Sequence, residues 1–306
     1  MENKKIFISG GAGYLGRAII ARYYKNNEIT CYSRDEAKHY LLKKKYPKIK
    51  CIVGDVRDLD RLNRGVKGHD VGIFAASLKQ ISACDENPIE AIKTIILGAI
   101  NSRISAEDNN LESACFISSD KACSATTIYG GCKYVAEQSF IVNSSNTRLT
   151  SCRYGNVTNS TGSIIPLIKD AINNNYTLEL FSKDMTRFML DVEDAVDLIE
   201  YSLNLKGCVI VPDINSFKVK DLFNIYSKRC GLKFKITSPR VGEKIHESMI
   251  SQEESLRTLK SDKFYIINPS IKSNQNLFIN NEYCSKDYVL DKEKLEQILS
   301  SKSFYL

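Results

Sequence analysis

Short apolar runs alternate with segments of helical periodicity along the first half of the chain. The run at 4–9 contains β-branched residues, and Ala18, Ile19, Ile20 and Tyr23 follow it at helical spacing. The same alternation recurs several times. The predicted strands are 4–9, 28–33, 49–53, 71–76 and 114–118, and the later predicted helices are 58–64, 89–107 and 128–142. This order predicts an α/β fold built on a doubly wound parallel sheet.

A glycine-rich segment separates the first predicted strand from the first predicted helix. It consists of Gly10, Gly13 and Gly16, with Tyr14 and Leu15 between the last two. Glycine lets the backbone turn tightly and approach a pyrophosphate, which the amide groups at a helix N-terminus then bind. We therefore expect these five residues to contact a dinucleotide. The alternative is a tight strand-to-helix turn without a ligand.

The end of the second predicted strand indicates which dinucleotide binds. An NAD enzyme usually has an acidic residue there, whereas this chain has Ser33 and Arg34, with Lys38 nearby. Because the planar guanidinium fork suits a 2′-phosphate, the pattern favours NADP. Asp35 leaves NAD open as the alternative, and Arg34 with Lys38 could instead be the solvated start of a helix.

The segment 118–133 contains most of the candidate chemistry. Tyr129 precedes Lys133 by four residues, so both lie on one face of a helix, where an ammonium group can stabilise a phenolate. Asp120 and Lys121 follow the strand at 114–118, at the edge where open α/β sheets bind ligands. We interpret Asp120, Lys121 and Tyr129 as candidate proton carriers, and Ser119 is a further candidate beside them. The alternatives are a solvated pair on the helix, a surface pair at the strand end and a capping serine.

Composition limits the remaining classes of function. The formal net charge is +7, but 43 basic residues are scattered among 36 acidic ones, which argues against nucleic acid as a partner. Ten cysteines form none of the close pairs of zinc sites, so we expect no metal and a reducing compartment. With no signal peptide or apolar membrane span recognised in the sequence, we expect a cytoplasmic protein without membrane contact.

Eight ordered motifs, within about residues 4–250, resemble those of the inverting UDP-N-acetylglucosamine 4,6-dehydratases. These enzymes modify nucleotide sugars and are related to the extended short-chain dehydrogenases. The motifs are 10–16, 75–80, 118–122, Tyr129 with Lys133, 153–157, 162–166, 185–188 and 239–244. The resemblance implies a Rossmann-type domain, NADP as cofactor, UDP-N-acetylglucosamine as substrate and a homo-oligomer.

The resemblance also implies a role for each proton carrier, and it implies that the Ser119 hydroxyl hydrogen-bonds the substrate. Tyr129 would take the proton of the 4-hydroxyl, while Lys133 lowers its pKa and binds the nicotinamide ribose. Lys121, as a neutral amine, would remove the carbon 5 proton, and Asp120, as an acid, would help the 6-hydroxyl leave as water. Retaining dehydratases generally carry Asp-Glu at this place and 4-epimerases have neither pair, so Lys121 implies inversion at carbon 5.

Further binding residues follow from the same motifs. The additional cofactor contacts would be Asp55, Val56, Ala75, Ala76 and Lys79, and the substrate contacts would be Lys79, Asn156, Arg187, Arg240 and Glu243. The chain departs from the family at three positions: Ile95 replaces asparagine, Ala125 replaces proline and Thr161 replaces arginine. None of these departures removes a proton carrier. They change residues on which the loop geometry and the diphosphate contacts of the family depend.

We expect two regions in the chain. Residues 1–155 would form the NADP-binding Rossmann domain, and 156–306 a smaller α/β region that mainly binds substrate, with some segments returning to the Rossmann sheet. Predicted elements there are strands at 187–190, 206–211 and 264–267 and helices at 191–203 and 291–299. A UDP-sugar 4-epimerase, a retaining dehydratase and an NADP-binding sensor protein are the alternatives.

Overall fold

The computed structural model describes residues 1–142, 146–160, 162–239, 242–270 and 281–301. Within these ranges the strands are β1 (Lys5–Ser9), β2 (Glu28–Ser33), β3 (Lys50–Val53), β4 (Val71–Phe74), β5 (Ser113–Ile117), β6 (Arg148–Cys152), β7 (Asn156–Val157), β8 (Leu178–Leu180), β9 (Thr186–Leu190), β10 (Cys208–Pro212), β11 (Ser216–Lys218), β12 (Phe234–Ile236), β13 (Ser248–Ile250), β14 (Thr258–Ser261), β15 (Phe264–Ile267) and β16 (Tyr283–Cys284).

The α-helices alternate with these strands. They are α1 (Tyr14–Tyr23), α2 (Glu36–Lys45), α3 (Leu59–Val66), α4 (Ile81–Glu86), α5 (Pro88–Ala91), α6 (Gly98–Asp108), α7 (Ile128–Ile141), α8 (Ile164–Asn173), α9 (Val192–Ser202), α10 (Val219–Cys230), α11 (Gln252–Ser255) and α12 (Lys292–Ser301). A π-helical segment, Ile92–Leu97, joins α5 to α6, and a 3₁₀ turn, Asp120–Ala122, follows β5. The helix predicted over 89–107 is therefore interrupted by a π-helical stretch.

A nine-stranded sheet forms the centre of the fold, in the order β14-β15-β10-β6-β5-β4-β1-β2-β3. The seven strands from β10 to β3 run parallel, whereas β15 pairs antiparallel with β10, and β14 pairs antiparallel with β15. The predicted doubly wound sheet of Rossmann type is confirmed. Three of its strands, β10, β14 and β15, come from the chain after residue 155.

Helices pack on both faces of this sheet. On one face, Ile19 and Ile20 of α1 share an apolar core with Val196 and Ile199 of α9. On the other face, α3, α6 and α7 contribute to a second core, in which Phe140 is fully buried. Because apolar cores hold both faces, the carboxyl ends of the parallel strands form a fixed edge.

The rest of the chain forms smaller units beside that edge. The strands β11, β9 and β7 form one sheet, β12 pairs with β8, and β13 pairs with β16. A separate apolar core gathers α8, α10 and α12 around Phe217 and Tyr226. All ten cysteines are free thiols. Among the residues described here, we find no helix with the length and apolar character needed to cross a bilayer.

Candidate active site

The loop between β1 and α1 opens one end of a cavity of about 1000 Å³. Gly10 has a positive φ of 72°, and a Cβ at this position would lie 2.8 Å from the backbone nitrogen of Ala76. Only glycine lets the loop lie this close to the segment after β4. Gly13 caps α1 without a side-chain hydrogen bond, so the first amide groups of α1 remain for an anion. The predicted loop residues line the cavity: Gly10, Gly13, Tyr14, Leu15 and Gly16.

The residues after β2 line the same end of the cavity. The side chain of Arg34 is 62% exposed and its Nη1 lies 3.8 Å from Oδ2 of Asp55. The carboxylate of Asp35 accepts a hydrogen bond from the backbone of Lys38 at 2.9 Å and pairs with Nζ of Lys38 at 2.6 Å. The hydrogen bonds from Lys38 lower the pKa of Asp35. Asp35 therefore caps helix α2, while the Arg34 fork extends from the loop.

Other predicted cofactor residues border the same cavity. Asp55, Val56, Ala75, Ala76, Lys79, Ser33 and Lys38 all line it. The carboxylate of Asp55 accepts hydrogen bonds from its neighbour Arg57, at 3.0 Å from Nε and 2.7 Å from Nη2. The glycine loop, the β2 end and the β3 end thus meet around one space, and this cradle fits a dinucleotide.

Tyr129 and Lys133 lie in the first two turns of α7, and both are buried. A Cβ on Gly130 would lie 2.4 Å from the carbonyl oxygen of Lys121, so glycine allows α7 to begin directly against the turn after β5. Nζ of Lys133 donates a hydrogen bond to the carbonyl of Ile117 at 2.8 Å. The close approach brings the phenol and the Asp120–Ala122 turn into one wall of the cavity.

The electrostatics of this pair differ from the prediction. Burial raises the pKa of Tyr129 to about 12; the Ser119 hydroxyl has a smaller effect that lowers this pKa, and the Asp120 carboxylate has a smaller effect that raises it. Burial also lowers the pKa of the Lys133 ammonium to about 8, against the effect of Glu137. The expected lowering of the Tyr129 pKa by Lys133 is therefore not a property of this structure, because burial of the phenol dominates. The phenol carries its proton at neutral pH.

Asp120 and Lys121 lie in the 3₁₀ turn at the end of β5. Ser119 precedes the turn as its N-cap, and its hydroxyl donates to Oδ1 of Asp120 at 2.9 Å. Nζ of Lys121 lies 3.1 Å from Oδ2 of Asp120 and 2.9 Å from Oε1 of Glu247. Two carboxylates from distant parts of the chain therefore hold one ammonium group beside Tyr129.

The charge state of Lys121 is a correction to the sequence-based expectation of a neutral amine. Burial lowers the pKa of the Lys121 ammonium, but the carboxylates of Asp120 and Glu247 outweigh burial and raise the pKa above its ordinary value. Glu247 was not predicted from the sequence. It lies three residues after the motif at 239–244, and no pattern in the sequence marks it.

Three of the five predicted substrate residues line the same cavity. Lys79, Asn156 and Glu243 line it, and burial lowers the pKa of Lys79. Arg187 is buried, with Nη2 at 2.5 Å from Oε1 of Glu243 and Nη1 at 2.8 Å from the carbonyl of Thr186. Its guanidinium is therefore engaged by the protein. Arg240 lies outside the described residues.

The departures from the family pattern can be placed in part. Ile95 is buried in the core on the α6 and α7 face, while its neighbour Thr94, in the π-helical segment, lines the cavity. Ala125 approaches α7, since its Cβ lies 3.2 Å from where a Cβ on Gly130 would be. Thr161 lies outside the described residues.

Comparison with known proteins identifies the family. A sequence model of the family described as "Polysaccharide biosynthesis protein" matches residues 6–269. The chain belongs to this family. The UDP-N-acetylglucosamine 4,6-dehydratase (inverting) of Campylobacter jejuni subsp. jejuni serotype O:2 is 36% identical over 286 residues, which cover 89% of this chain and 85% of the relative. The resemblance inferred from the motifs is thereby confirmed.

Other relatives carry a different name or offer a solved structure. A UDP-glucose 4-epimerase of Rickettsia bellii is 34% identical over 284 residues, covering 87% of this chain and 83% of the relative. The X-ray structure of Pen from Bacillus thuringiensis matches with a TM-score of 0.92 and 27% identity, covering 99% of each chain. The fold therefore extends over the whole length of a solved relative.

The arrangement supports acid–base chemistry next to a dinucleotide. A phenol, an ammonium group and two carboxylates surround one part of the cavity, and the glycine loop forms its other part. Groups of three or more residues able to hold a metal ion are absent from the described parts of the chain. The phenol, the ammonium group and the carboxylates beside the glycine loop fit a reaction in which side chains carry protons and a bound cofactor carries a hydride.

Proposed function

We propose that this protein is an NADP-dependent UDP-N-acetylglucosamine 4,6-dehydratase that inverts carbon 5. The observation that carries the proposal is the meeting of Asp120, Lys121 and Tyr129 in one cavity with the glycine loop. Its product would be a UDP 4-keto-6-deoxy-L-hexosamine. The reaction is redox-neutral overall, because NADP supplies, when bound, reversible storage of the hydride that leaves carbon 4 and returns to carbon 6.

The first proton transfer involves the phenol of Tyr129. The phenol takes the proton of the sugar 4-hydroxyl as carbon 4 becomes a ketone, so it must first lose its own proton. A bound cation close to the phenol opposes the rise in pKa that burial causes. Lys133, four residues after Tyr129 along α7, supplies such a charge when its hydrogen bond to Ile117 is exchanged for one to the ligand.

The elimination needs a neutral amine and a carboxylic acid. The contact of 3.1 Å between Nζ of Lys121 and Oδ2 of Asp120 allows one proton to move from the ammonium to the carboxylate. That transfer yields both required species at once. Lys121 then removes the proton of carbon 5, which the adjacent ketone has made acidic, and Asp120 returns its proton to the 6-hydroxyl, which leaves as water. Reprotonation of carbon 5 on the opposite face inverts it.

NADP is the favoured cofactor because of the contacts after β2. Asp35 uses its carboxylate to cap α2 and to pair with Lys38, whereas the exposed Arg34 presents its fork at the cavity. A ribose hydroxyl would need a free acceptor there, but a 2′-phosphate needs donors. These contacts support NADP over NAD.

The substrate would lie between the proton carriers and the wall formed by Asn156 and Glu243. We further propose that the chain after residue 155 supplies most substrate contacts, in agreement with the position of these two residues. Arg187 would act by orienting Glu243, since 2.5 Å separates Nη2 from Oε1 of that carboxylate. Direct phosphate binding is left to Lys79 and to Arg240.

We also propose that copies of the chain associate and that they act in the cytoplasm. Ile92, Leu97, Tyr134 and Val135 are exposed apolar residues on the π-helical segment and α7, and a second copy would cover them. Ten free thiols fit a reducing compartment. Light scattering coupled to size exclusion measures the assembly, and a monomer at micromolar concentration would contradict it.

Product identity tests the proposed function. The purified protein is incubated with UDP-N-acetylglucosamine and NADP, and the sugar is followed by proton NMR. We expect the signal of a 6-deoxy methyl group and the loss of the proton at carbon 4. A galacto product would instead support the 4-epimerase named among the Rickettsia relatives. An unchanged substrate would favour an NADP-binding sensor.

A further inference from the structure

Glu247 is a buried carboxylate at the active site. It lies just before β13 and is 1% exposed. Its Oε1 lies 2.9 Å from Nζ of Lys121 and 3.6 Å from Nε of Arg187. Its Oε2 is buried and has no hydrogen-bond partner among the described residues. A buried carboxylate oxygen without a partner is unfavourable, so packing alone does not account for this residue.

The backbone around Glu247 is fixed from both sides. Its amide donates to the hydroxyl of Ser285 at 2.8 Å, and its carbonyl accepts from the amide of Ser285 at 2.7 Å. The hydroxyl of Ser285 also lies 2.7 Å from that of Thr186 in β9. The carboxylate is therefore carried by a segment that cannot retreat from Lys121 without breaking these contacts.

The other charged groups around Lys121 do not duplicate this contact. Asp120 is on the same turn as Lys121 and is the residue to which the elimination assigns a proton. Arg187 approaches from β9 as a second cation, and Tyr129 approaches from α7 as a neutral phenol. When the proton of Lys121 moves to Asp120, Glu247 is the carboxylate that still accepts a hydrogen bond from the amine.

We infer that Glu247 is a positioning residue of the dehydration site: its carboxylate holds Nζ of Lys121 in the cavity and balances its charge. This inference rests on the proposed function, because it acts through the base that removes the carbon 5 proton. Loss of the carboxylate would have two effects. The amine would be less well oriented, and it would become neutral at a lower pH, because an opposite charge at this distance favours the ammonium form.

The test follows deuterium incorporation at carbon 5 as a function of pH. The NADP-loaded protein is incubated with UDP-N-acetylglucosamine in heavy water, and the rate is compared for the wild type, Glu247→Gln and Glu247→Asp. The rate should fall at high pH, where the Lys121–Asp120 pair loses the proton that it shares, and for Glu247→Gln we expect this fall to move down by about one to three pH units. We expect its plateau to fall by about ten- to a hundredfold. Glu247→Asp retains the charge, so the pH at which its rate falls should lie between those of the wild type and Glu247→Gln.

A matched control removes a carboxylate that does not contact Lys121. Glu282 precedes β16, the strand paired with β13, and accepts from the hydroxyl of Ser248 at 3.1 Å. We expect the Glu282→Gln profile to match that of the wild type. Circular dichroism melts of every variant show whether it is folded.

The outcomes separate the inference from the proposed function. A wild-type protein that forms no keto sugar contradicts the proposed function itself. An active wild type combined with an unshifted Glu247→Gln profile overturns the inference, even if the plateau falls. If Glu247→Gln does not fold, the Glu247→Asp profile decides: a shift to lower pH supports the inference, and a profile that coincides with the wild type overturns it.

Discussion

Replacement of Arg153 should destabilise the protein strongly, because this residue joins the two halves of the active site. Its side chain is 0% exposed. Its Nε and Nη2 donate to Glu137 of α7 at 3.1 and 2.5 Å, and its Nη1 and Nη2 donate to Glu254 of α11 at 2.7 and 2.8 Å. A further hydrogen bond of 2.9 Å reaches the carbonyl of Met249, two residues after Glu247.

Arg153→Met leaves both carboxylates buried without their cation. Removal of one partner of a buried ion pair costs about 3–5 kcal/mol of the free energy of unfolding. Arg229→Met is the matched control, since Arg229 forms a half-exposed pair with Glu296, and such pairs contribute less than about 1 kcal/mol. Urea denaturation of both variants and the wild type measures the difference.

The pH dependence gives this prediction a second readout. Burial raises the pKa of Glu254, but Arg153 outweighs burial and lowers it below its ordinary value. In the wild type, that contribution is present at neutral pH and is lost as the pH falls through the lowered pKa. In Arg153→Met, burial of Glu254 is opposed only by the smaller effects of the Ser251 backbone and Arg257, so the pKa of Glu254 is higher than in the wild type and protonation relieves the penalty. The difference in the free energy of unfolding between the wild type and Arg153→Met should therefore become smaller as the pH falls from neutral to about 5. A loss below about 1 kcal/mol, or a deficit that does not change with pH, would refute this reasoning.

Three further substitutions test the site. Lys121→Met should reduce deuterium incorporation at carbon 5 by about a hundredfold or more while NADP still binds, and persisting incorporation would mean that another group is the base. Arg34→Ala should weaken NADP binding by about ten- to a hundredfold in calorimetry. If NAD binding weakens more than NADP binding, the assignment of the 2′-phosphate contact is wrong. Gly10→Ala should abolish dinucleotide binding, because its Cβ would lie 2.8 Å from the backbone of Ala76, whereas Gly131→Ala, with no atom within 4 Å, should bind normally. Equal binding by both variants would exclude the loop as the cofactor site.

The Rossmann half of the fold could be predicted because its information is local. The strand at 4–9, the glycines after it and the helix that follows occupy one short stretch, and the structure places β1 and α1 there. The π-helical segment Ile92–Leu97 could not be predicted, because its residues keep an ordinary helical pattern. Pairing of β10 with β6 and with β15 joins distant segments, and strands of two or three residues such as β7 leave little periodicity to detect.

The same distinction applies to the site. Asp120, Lys121, Tyr129 and Lys133 lie within one short segment, and the structure brings them to the cavity. Glu247 is distant in the sequence, and its contact with Lys121 depends on how the region around β13 packs against the turn after β5. For that reason the sequence alone does not predict that Lys121 is positively charged. Charge pairing is a tertiary property that residue type alone does not reveal.

The configuration and isotope content of carbon 5 after turnover in heavy water show whether the protein is an inverting dehydratase. The purified protein, NADP and UDP-N-acetylglucosamine are combined, and the keto sugar is characterised by NMR and mass spectrometry. We expect one deuterium at carbon 5, with the configuration there inverted. A keto sugar that retains the original configuration at carbon 5 would contradict the assignment of Lys121 as the base of an inverting dehydratase.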